Sequence, residues 1–275
     1  ACKLAGVKNT VVTVRGFSGD VIFFNNAKKI ILTYLLEPIT LIFSKRVIGV
    51  SNYVVKRKMI QFLAKRKSQF IYNFPPSNKN FKKSDGLRNE LGISPEDIVV
   101  TSIARITKDK GYHVLEKAIK NLPEASNIKF IIVGDGDYLE VMKKNLKDKA
   151  LAKSIFFLGF RSDINFILNS SDIFVLPTLH ETLSVALLEA SQAGLALIAS
   201  DTGGVPEIVI NDYNGKLVEP GNVKKLSKSI FDLAQNKDLI NLYGKNAKLN
   251  IKVKFSSEEI INKLDKIYKS LLYND

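Results

Sequence analysis

The sequence is poor in the residues that build metal centres and disulfides. Its 275 residues include one cysteine, Cys2, two histidines and no tryptophan. A single cysteine excludes an intramolecular disulfide and a cysteine-based zinc site, and two histidines disfavour a protein-built transition-metal centre. Low cysteine content is typical of the reducing cytoplasm. We therefore expect a cytoplasmic protein without a transition-metal centre built from its own side chains.

A hydrophobic run long enough to cross a bilayer is also lacking. The longest apolar stretch, Ile30 to Phe43, is about 14 residues long and is interrupted by Glu37 and Pro38, whereas a span needs about 20 residues. Overall, 45% of the residues are hydrophobic and 25% are charged, which is close to the globular average and excludes a disordered or collagen-like chain. At roughly 100–200 residues per domain, the length predicts one large or two modest domains.

Acidic residues are scarce at the start of the chain. Residues 1–85 carry sixteen Lys and Arg and three Asp and Glu, which is a net charge of +13. Residues 86–275 contribute the remaining +1 of the formal net charge of +14. The asymmetry predicts an anionic partner for residues 1–85: an anionic membrane surface, an anionic substrate or a nucleic acid. The alternative is a solvated basic face without a partner. No nucleic-acid reader motif accompanies the charge, so we expect no nucleic acid and a peripheral position on the inner face of the membrane.

Short apolar runs alternate with helical patterns in the second part of the chain, which predicts a doubly wound parallel sheet. The linker-like composition of Pro75 to Asn80 separates it from a partial α/β unit, in which Ser51 predicts a helix towards Ala64. We predict domains at 1–75 and 76–255, and a C-terminal helix at 256–275 that packs back on the first domain. The predicted strands of the second domain are Ile98 to Ile103, Ile128 to Val133, Ile155 to Leu158, Ile173 to Leu176 and Leu195 to Ala199; the predicted helices between them are His113 to Asn121, Tyr138 to Ala150, Asp163 to Asn169 and Leu183 to Ala193.

The chemistry of such a sheet belongs to the loops after its strands, because ligands bind beyond the carboxyl ends. After the first strand, Arg105 and Lys110 precede Gly111 and a helix, an arrangement that suits a phosphate but also describes a solvated turn. After the second strand, Asp135-Gly136-Asp137 is either a Mg²⁺ site on a diphosphate or a turn in which Asp137 caps the next helix. The cap is the favoured interpretation.

The most informative stretch places two carboxylates, Glu181 and Glu189, eight residues apart with a mostly apolar interval. If a helix starts at Leu183, Glu181 precedes it and Glu189 lies two turns along, where a carboxylate can accept hydrogen bonds from a vicinal diol. The backbone N–H groups of Thr182 to Ser184 would then be donors at a helix N-terminus. A Gly203-to-Glu207 segment, with two glycines and a proline, predicts a second helix N-terminus at the same edge.

These loops together resemble the retaining GT-B glycosyltransferases of glycosyltransferase family four. The motifs that carry the resemblance are Ala104-Arg105-Ile106 with Lys110-Gly111, the E-x7-E pair Glu181 and Glu189, Gly203 to Glu207, and Asn214-Gly215 through Glu219-Pro220-Gly221. The spacing of the E-x7-E and Gly-Gly-x-Pro-Glu elements is specific, whereas the other pieces alone are not.

The resemblance implies a GT-B fold with a complete C-terminal Rossmann-like domain that binds a nucleotide sugar, and a partial N-terminal Rossmann-like domain on the acceptor side. It implies transfer of a sugar from a nucleotide-diphosphate sugar to a glycan or lipid-linked acceptor, with retention of configuration, without a metal and without a resident cofactor. The implied catalytic residues are Arg105, Lys110 and Glu181. The implied nucleotide-sugar-binding residues are Gly134, Gly159, Phe160, Arg161, Glu181, Thr182, Leu183, Ser184 and Glu189.

Two departures from the family pattern leave an alternative open. Arg15-Gly16 stands where the family often has His-Gly, and only about 75 residues, with no Gly-rich acceptor loop, precede the linker, fewer than a domain of typical size. Either the chain is a fragment or a second polypeptide supplies the rest. The alternative function is therefore a truncated, non-catalytic module that binds a nucleotide sugar and needs a partner or the missing N-terminal half.

Overall fold

A computed structural model describes residues 5–7, 9–16, 35–76, 84–123, 127–147 and 153–273 of the chain. The chain divides into two compact units. Unit 1 comprises Ala1–Phe74, Glu181–Leu183 and Phe255–Asp275, and unit 2 comprises Pro75–His180 and Ser184–Lys254. Cys2, residues 17–34 and residues 77–83 lie outside the described residues, so most of the predicted linker and the start of the apolar stretch are not part of the description.

Unit 2 is built on a six-stranded parallel sheet in the order β6-β5-β4-β7-β8-β9 within the described residues. The prediction of a doubly wound parallel sheet is confirmed, and each of its five predicted strands is present. The central strands are apolar on both faces because helices cover both, which is why they are continuous hydrophobic runs. The strands are β4 (Ile98–Ile103), β5 (Ile128–Val133), β6 (Ile155–Gly159), β7 (Ile173–Leu176), β8 (Ala196–Ser200) and β9 (Gly215–Val218).

The helices of unit 2 bury one apolar face each against this sheet. In α5 the residues Val114, Leu115, Ala118 and Ile119 recur at helical spacing, and all four are buried. The helices are α4 (Gly86–Leu91), α5 (Tyr112–Lys120), α6 (Leu139–Asn145), α7 (Ile164–Asn169), α8 (Val185–Ala193), α9 (Val223–Ala234) and α10 (Lys237–Lys254).

Two helix starts in unit 2 differ from the predictions. The helix expected to start at Leu183 begins at Val185, because the Ser184 side chain caps it. The prediction that Asp137 caps α6 is wrong: the N-cap position is Tyr138, and no side chain caps this helix. Asp135 Oδ1 instead accepts a hydrogen bond from the N–H of Gly136, at 2.7 Å.

Unit 1 contains a three-stranded parallel sheet in the order β1-β2-β3 within the described residues. Ile260, Ile267 and Leu271 of its last helix cluster with Ile48 and Ile71 of the sheet region. The elements are β1 (Val11–Val14), α1 (Glu37–Phe43), β2 (Arg46–Gly49), α2 (Asn52–Val55), α3 (Lys58–Ala64), a 3-10 turn (Lys65–Lys67), β3 (Ser68–Phe70) and α11 (Ser257–Tyr273).

The helix that Ser51 was expected to start is two helices. Ser51 does cap α2, since its Oγ accepts from the N–H of Val54 at 3.3 Å. The helix then stops at Val55, because Arg57 takes an extended ψ of 137° before α3 begins. The buried Arg57 side chain lies 3.7 Å from Glu37 and donates to the carbonyl of Gly16 at 3.5 Å, so tertiary contacts accompany the break.

Candidate active site

Strand β4 pairs with β5 on one side and with β7 on the other, so the chain order reverses at this point of the sheet of unit 2. Ligands of open α/β sheets bind in the crevice at such a reversal, outside the carboxyl ends of the strands. The loops after β4 and β7 touch each other there. The N–H of Leu179 donates to the carbonyl of Asp109 at 2.9 Å. A Cβ placed on Gly111 would stand 1.7 Å from the carbonyl oxygen of Pro177.

The loop after β4 carries Arg105 and Lys110 at this edge, as predicted. The Arg105 side chain is 75% exposed, and its Nη2 lies 3.9 Å from Asp109, a contact too long and too exposed to hold it firmly. Lys110 lies half-buried next to Gly111, which has a φ of 76° and is the N-cap residue of α5. Two cations therefore border the N-terminal end of a nine-residue helix, an electrostatic setting that favours an anion.

The loop after β5 is joined to the loop after β4 by backbone contacts. Gly134 has a φ of 131°, and a Cβ there would stand 1.9 Å from the carbonyl oxygen of Ala104. The N–H of Ile106 donates to the carbonyl of Asp135 at 2.9 Å, and the N–H of Tyr138 donates to the carbonyl of Ile106 at 3.0 Å. Gly134 therefore lets two main chains meet where any side chain would separate them.

Glu116, on α5, supports these loops from inside unit 2. Its buried carboxylate accepts hydrogen bonds from the Tyr138 hydroxyl at 2.7 Å, from Asn145 at 3.0 Å and from Lys120 at 3.2 Å. Burial raises the pKa of Glu116, but these hydrogen bonds outweigh it, and the net pKa lies below the ordinary value. Burial, followed by the bond to this carboxylate, raises the pKa of Tyr138 to about 12. The sequence analysis missed Glu116, since a lone Glu in an amphipathic helix looks like a surface residue.

Gly159 is the last residue of β6, on the far side of β5, and Phe160 and Arg161 follow it. The N–H of Gly134 donates to the carbonyl of Gly159 at 2.8 Å, so this loop is fixed to the previous one. Phe160 is 83% exposed. The Arg161 guanidinium pairs with Asp163, and the hydrogen bond between them holds the pKa of that carboxyl below its usual range. Phe160 is therefore an apolar ring presented to solvent beside the edge, whereas Arg161 is engaged with its own loop.

Glu189 is half-buried on the second turn of α8. Its neighbours along the chain, Leu187 and Leu188 before it and Ala190 after it, are fully buried. The Ser184 Oγ accepts from the N–H of Leu187 at 3.2 Å and fixes the start of this helix.

The segment with the two glycines, Gly203 to Glu207, is less regular than predicted. Instead of a helix N-terminus, it forms a single 3-10 turn over Val205–Glu207.

Glu181, Thr182 and Leu183 belong to unit 1. The Thr182 Oγ1 donates to the carbonyl of Arg15 at 2.8 Å, and the Ser51 Oγ donates to the carbonyl of Thr182, also at 2.8 Å. The N–H of Thr182 donates to the Glu181 carboxylate at 3.1 Å. Because α8 starts at Val185, Thr182 and Leu183 are not in its first turn, which corrects the expectation that they supply helix-terminus N–H groups.

The potential metal ligands, the two histidines and the longest helices complete the description of candidate groups. Among the described residues, no group of three or more His, Cys, Asp or Glu side chains is placed to hold a metal ion. His113 packs edge-on against Tyr138, with ring centroids 6.3 Å apart, and burial, with Lys117 and Lys108, lowers its pKa. His180 uses its backbone carbonyl to accept from Thr178 at 2.8 Å. No helix in the described ranges has the length and apolarity that crossing a bilayer requires.

Solved structures share this fold over nearly the whole chain. The Anabaena protein HepE, crystallised with UDP and glucose, superposes with a TM-score of 0.85 at 22% identity, over 98% of this chain and 73% of that one. WaaG, a glycosyltransferase involved in lipopolysaccharide biosynthesis, superposes with a TM-score of 0.76 at 14% identity, over 90% of this chain and 72% of its own. Two Rossmann-like parallel-sheet units of this kind define the GT-B class of glycosyltransferases.

Sequence relatives place the chain within that class. Residues 83–250 match the family described as glycosyl transferases group 1, and the chain belongs to this family. An Escherichia coli UDP-Gal:alpha-D-GlcNAc-diphosphoundecaprenol alpha-1,3-galactosyltransferase is 29% identical over all of this chain and 72% of its own length. The N-acetyl-alpha-D-glucosaminyl L-malate synthase of Bacillus anthracis is 26% identical, over 75% of this chain and 55% of its own length.

Proposed function

We propose that the chain transfers a sugar, with retention and without a metal ion, from a nucleotide-diphosphate sugar to a glycan or lipid-linked acceptor. The observation that carries the proposal is the chain reversal between β4 and β7. There Arg105, Lys110 and the start of α5 face the carboxyl edge of the sheet, and Gly111 lies against Pro177. The charge of the two cations, the dipole of the helix and the position at the chain reversal all support a diphosphate site at this edge.

The candidate site residues have distinct parts in the proposed reaction. Breaking the anomeric carbon–oxygen bond leaves negative charge on the departing diphosphate. Arg105, Lys110 and the α5 N-terminus would stabilise that charge in the role that a divalent cation has in other transferases. Removing one such preorganised group typically costs about 2.7–4 kcal/mol, or roughly 10²–10³ in rate. Glu189 would accept hydrogen bonds from the ribose hydroxyls, and Glu181 would contact the donor sugar. The backbone of Gly134 and Gly159 and the side chains of Phe160 and Arg161 would border the nucleotide.

Uracil is the proposed base of the donor, and a lipid-linked diphosphate sugar is the proposed acceptor. The name of the E. coli relative specifies a UDP-galactose donor and a diphosphoundecaprenol-linked acceptor. The HepE structures hold UDP with glucose, or UDP-glucose. These are properties of those proteins, and they support the choice of the first ligands to test here.

Calorimetric titration with uridine, guanosine and adenosine diphosphates tests the donor site. We expect micromolar binding of uridine diphosphate that Arg105→Ala and Glu189→Ala both abolish. Lys228→Ala and Glu140→Ala are the matched controls, because their side chains are exposed on other helices of unit 2, at 76% and 81%. If none of the three diphosphates binds, the proposed site is refuted.

Turnover is tested separately by proton NMR of UDP-galactose during slow hydrolysis, with and without a chelator. Retention predicts that α-galactose appears first and that the chelator leaves the rate unchanged. Release of β-galactose first would refute retention, and a loss of rate with the chelator would refute metal independence. Binding without hydrolysis, and without transfer to a lipid-linked acceptor, would favour the alternative of a non-catalytic nucleotide-sugar-binding module.

A further inference from the structure

His113 lies on α5 and contacts two loops of the candidate site. Its ring packs edge-on against Tyr138, with ring centroids 6.3 Å apart and ring planes inclined by 80°. The same ring forms a hydrogen bond with the backbone of Lys108, in the loop that carries Arg105 and Lys110. One side chain therefore joins the loop after β4 to the residue that ends the loop after β5.

The two ring nitrogens of His113 have different surroundings. Nδ1 is buried and has no hydrogen-bond partner among the residues that the structure describes. The bond to the backbone of Lys108 therefore belongs to Nε2, and it favours the protonated ring, which means that Nε2–H donates and the Lys108 carbonyl accepts. A neutral ring with its hydrogen on Nε2 makes this bond and leaves a lone pair at Nδ1.

The carbonyl of Lys108 is a point at which the loop after β4 is attached to the start of α5. It also accepts a hydrogen bond from the N–H of Gly111, the N-cap residue of the helix, at 3.0 Å. The Arg105 guanidinium is largely exposed and lies 3.9 Å from Asp109, so its position follows that of the loop backbone. A side chain that holds Lys108 against α5 therefore helps to keep the cations of this loop in place.

A protonated ring does not suit this place. The charged and titratable groups around it are Glu116 and Lys117 on α5, Lys108 in the loop and Tyr138 before α6. Protonation would put an N–H at the buried Nδ1 and a positive charge beside the two lysines. Glu116 carries the opposite charge, but its carboxylate already accepts hydrogen bonds from three other side chains. Burial, followed by Lys117 and Lys108, accordingly holds the pKa of His113 below its ordinary value.

We propose that neutral His113 is a positioning residue for the donor diphosphate: its Nε2–H holds Lys108, and with it the Arg105–Lys110 loop, against α5, and its protonation releases the loop. The inference rests on the proposed function for the identity of the ligand. Because the pKa of the ring is lower when the loop is held, the contribution of His113 is complete above the ordinary value of 6.5 and is lost as the pH falls below it. Donor binding should therefore weaken in acid.

Calorimetric titration of the whole chain with UDP-galactose at several pH values tests the role. This probe is chosen because its diphosphate is esterified at both ends, whereas a terminal phosphate ionises near about pH 6. Wild-type binding should weaken by up to about tenfold between about pH 8 and about pH 5.5, the excess of protonated over neutral imidazole for a released ring. His113→Gln, which keeps a donor near the Nε2 position and cannot titrate, should match the wild type at the higher pH and show no such dependence.

His113→Leu removes the donor and should bind the probe about two- to twelvefold more weakly at every pH. A glutamine variant as weak as the leucine variant would show that ring packing, and not the hydrogen bond, is what matters, and would overturn the proposal. The same pH profile in wild type and His113→Gln would overturn it too. So would wild-type affinity that rises in acid, as direct attraction between an imidazolium and the diphosphate would produce.

Heteronuclear NMR of the imidazole rings, without nucleotide, tests the attachment of the loop separately. The chain has two histidines, so His113→Gln assigns both sets of signals. We expect the Nε2–H tautomer for His113, titration at a lower pH than an ordinary histidine, and a change of the Gly111 amide signal with the same midpoint. The Nδ1–H tautomer, or titration at or above the ordinary value, would overturn this inference and leave the donor site intact. The expected titration without UDP-galactose binding at any pH would instead refute the donor site, and the positioning role with it.

Discussion

Gly111 and Pro177 lie in contact through their backbones, and this contact joins the two loops that flank the chain reversal in the sheet of unit 2. A Cβ on Gly111 would stand 1.7 Å from the Pro177 carbonyl oxygen and 2.6 Å from its carbonyl carbon. The φ of Gly111 is 76°, which side-chain-bearing residues also avoid. The position therefore requires glycine for two independent reasons, and the separation of the loops after β4 and β7 depends on it.

Gly111→Ala should consequently move the Arg105–Lys110 loop away from Pro177. We expect it to lower the free energy of unfolding by at least about 2 kcal/mol more than Gly92→Ala, and to weaken nucleotide binding. Gly92 is the matched control because its φ is 63° and a Cβ there meets open space, so its variant carries only the backbone strain. Urea denaturation and calorimetry measure the two effects. Equal losses of stability in both variants would show that the close approach to Pro177 contributes nothing.

The sheet of unit 2 was predictable because its strands are buried on both faces. Runs such as Ile128 to Val133 and Ile173 to Leu176 have no polar face, and helices separate them, a combination that few arrangements other than a parallel sheet accommodate. Strand β9 was missed because Gly215–Val218 is short and contains Lys216. The predicted start of α8 was wrong by two residues, since Thr182 and Ser184 both carry a hydroxyl that can cap a helix and the sequence does not decide between them.

The assignment of Glu181–Leu183 to unit 1 was not predictable in the same way. Two hydrogen bonds hold Thr182 there, one to Arg15 and one from Ser51, and they connect residues 167 and 131 positions apart. No local pattern encodes contacts at such separations. The support that Glu116 gives to Tyr138 was missed for a similar reason, because the partners lie on different helices, α5 and the start of α6.

Glu116→Gln should destabilise unit 2 in a pH-dependent manner. Tyr138, Asn145 and Lys120 donate hydrogen bonds to this carboxylate, and an amide cannot accept all three. We therefore expect the free energy of unfolding to fall by about 1–3 kcal/mol at neutral pH. The folded-state pKa of Glu116 is depressed, so its contribution is present above the ordinary value of 4.5 and disappears as the pH falls through the folded pKa. The difference in the free energy of unfolding between wild type and variant should therefore become smaller below pH 4.5.

Urea midpoints measured from neutral to acid pH test this dependence. Glu140→Gln is the control, because Glu140 is exposed and pairs with Lys143 at the surface, where such pairs contribute little. A difference between wild type and Glu116→Gln that stays constant through the acid range would mean that packing around residue 116, and not its charge, is what the substitution removes.

Arg88→Met tests a buried ion pair at the opposite edge of the same sheet. The Arg88 guanidinium contacts Asp172 and donates to the carbonyls of Ser170, Ser94 and Asp97, at 3.0, 3.2 and 3.0 Å. The substitution removes the opposite charge beside the buried Asp172 carboxylate, which keeps the hydrogen bond from the N–H of Val99 at 2.9 Å, so we expect a loss of about 3–5 kcal/mol in the free energy of unfolding. Lys228→Met, which breaks the exposed pair with Asp232, should cost less than about 1 kcal/mol. Similar costs for the two variants would show that solvent reaches the Arg88 pair.

Phe160→Ala tests the contribution of the loop after β6 to nucleotide binding. The ring is 83% exposed, so its removal should leave the urea midpoint unchanged. Stacking of a base on an aromatic side chain is worth about 1–3 kcal/mol, and we therefore expect uridine diphosphate to bind between about fivefold and a hundredfold more weakly. Phe62→Ala is the matched control, since Phe62 is 88% exposed but belongs to unit 1 and should leave the calorimetric affinity intact. Unchanged affinity in Phe160→Ala, with Arg105→Ala still abolishing binding, would mean that the phosphates and ribose are held at this edge while the base makes no contact with the ring.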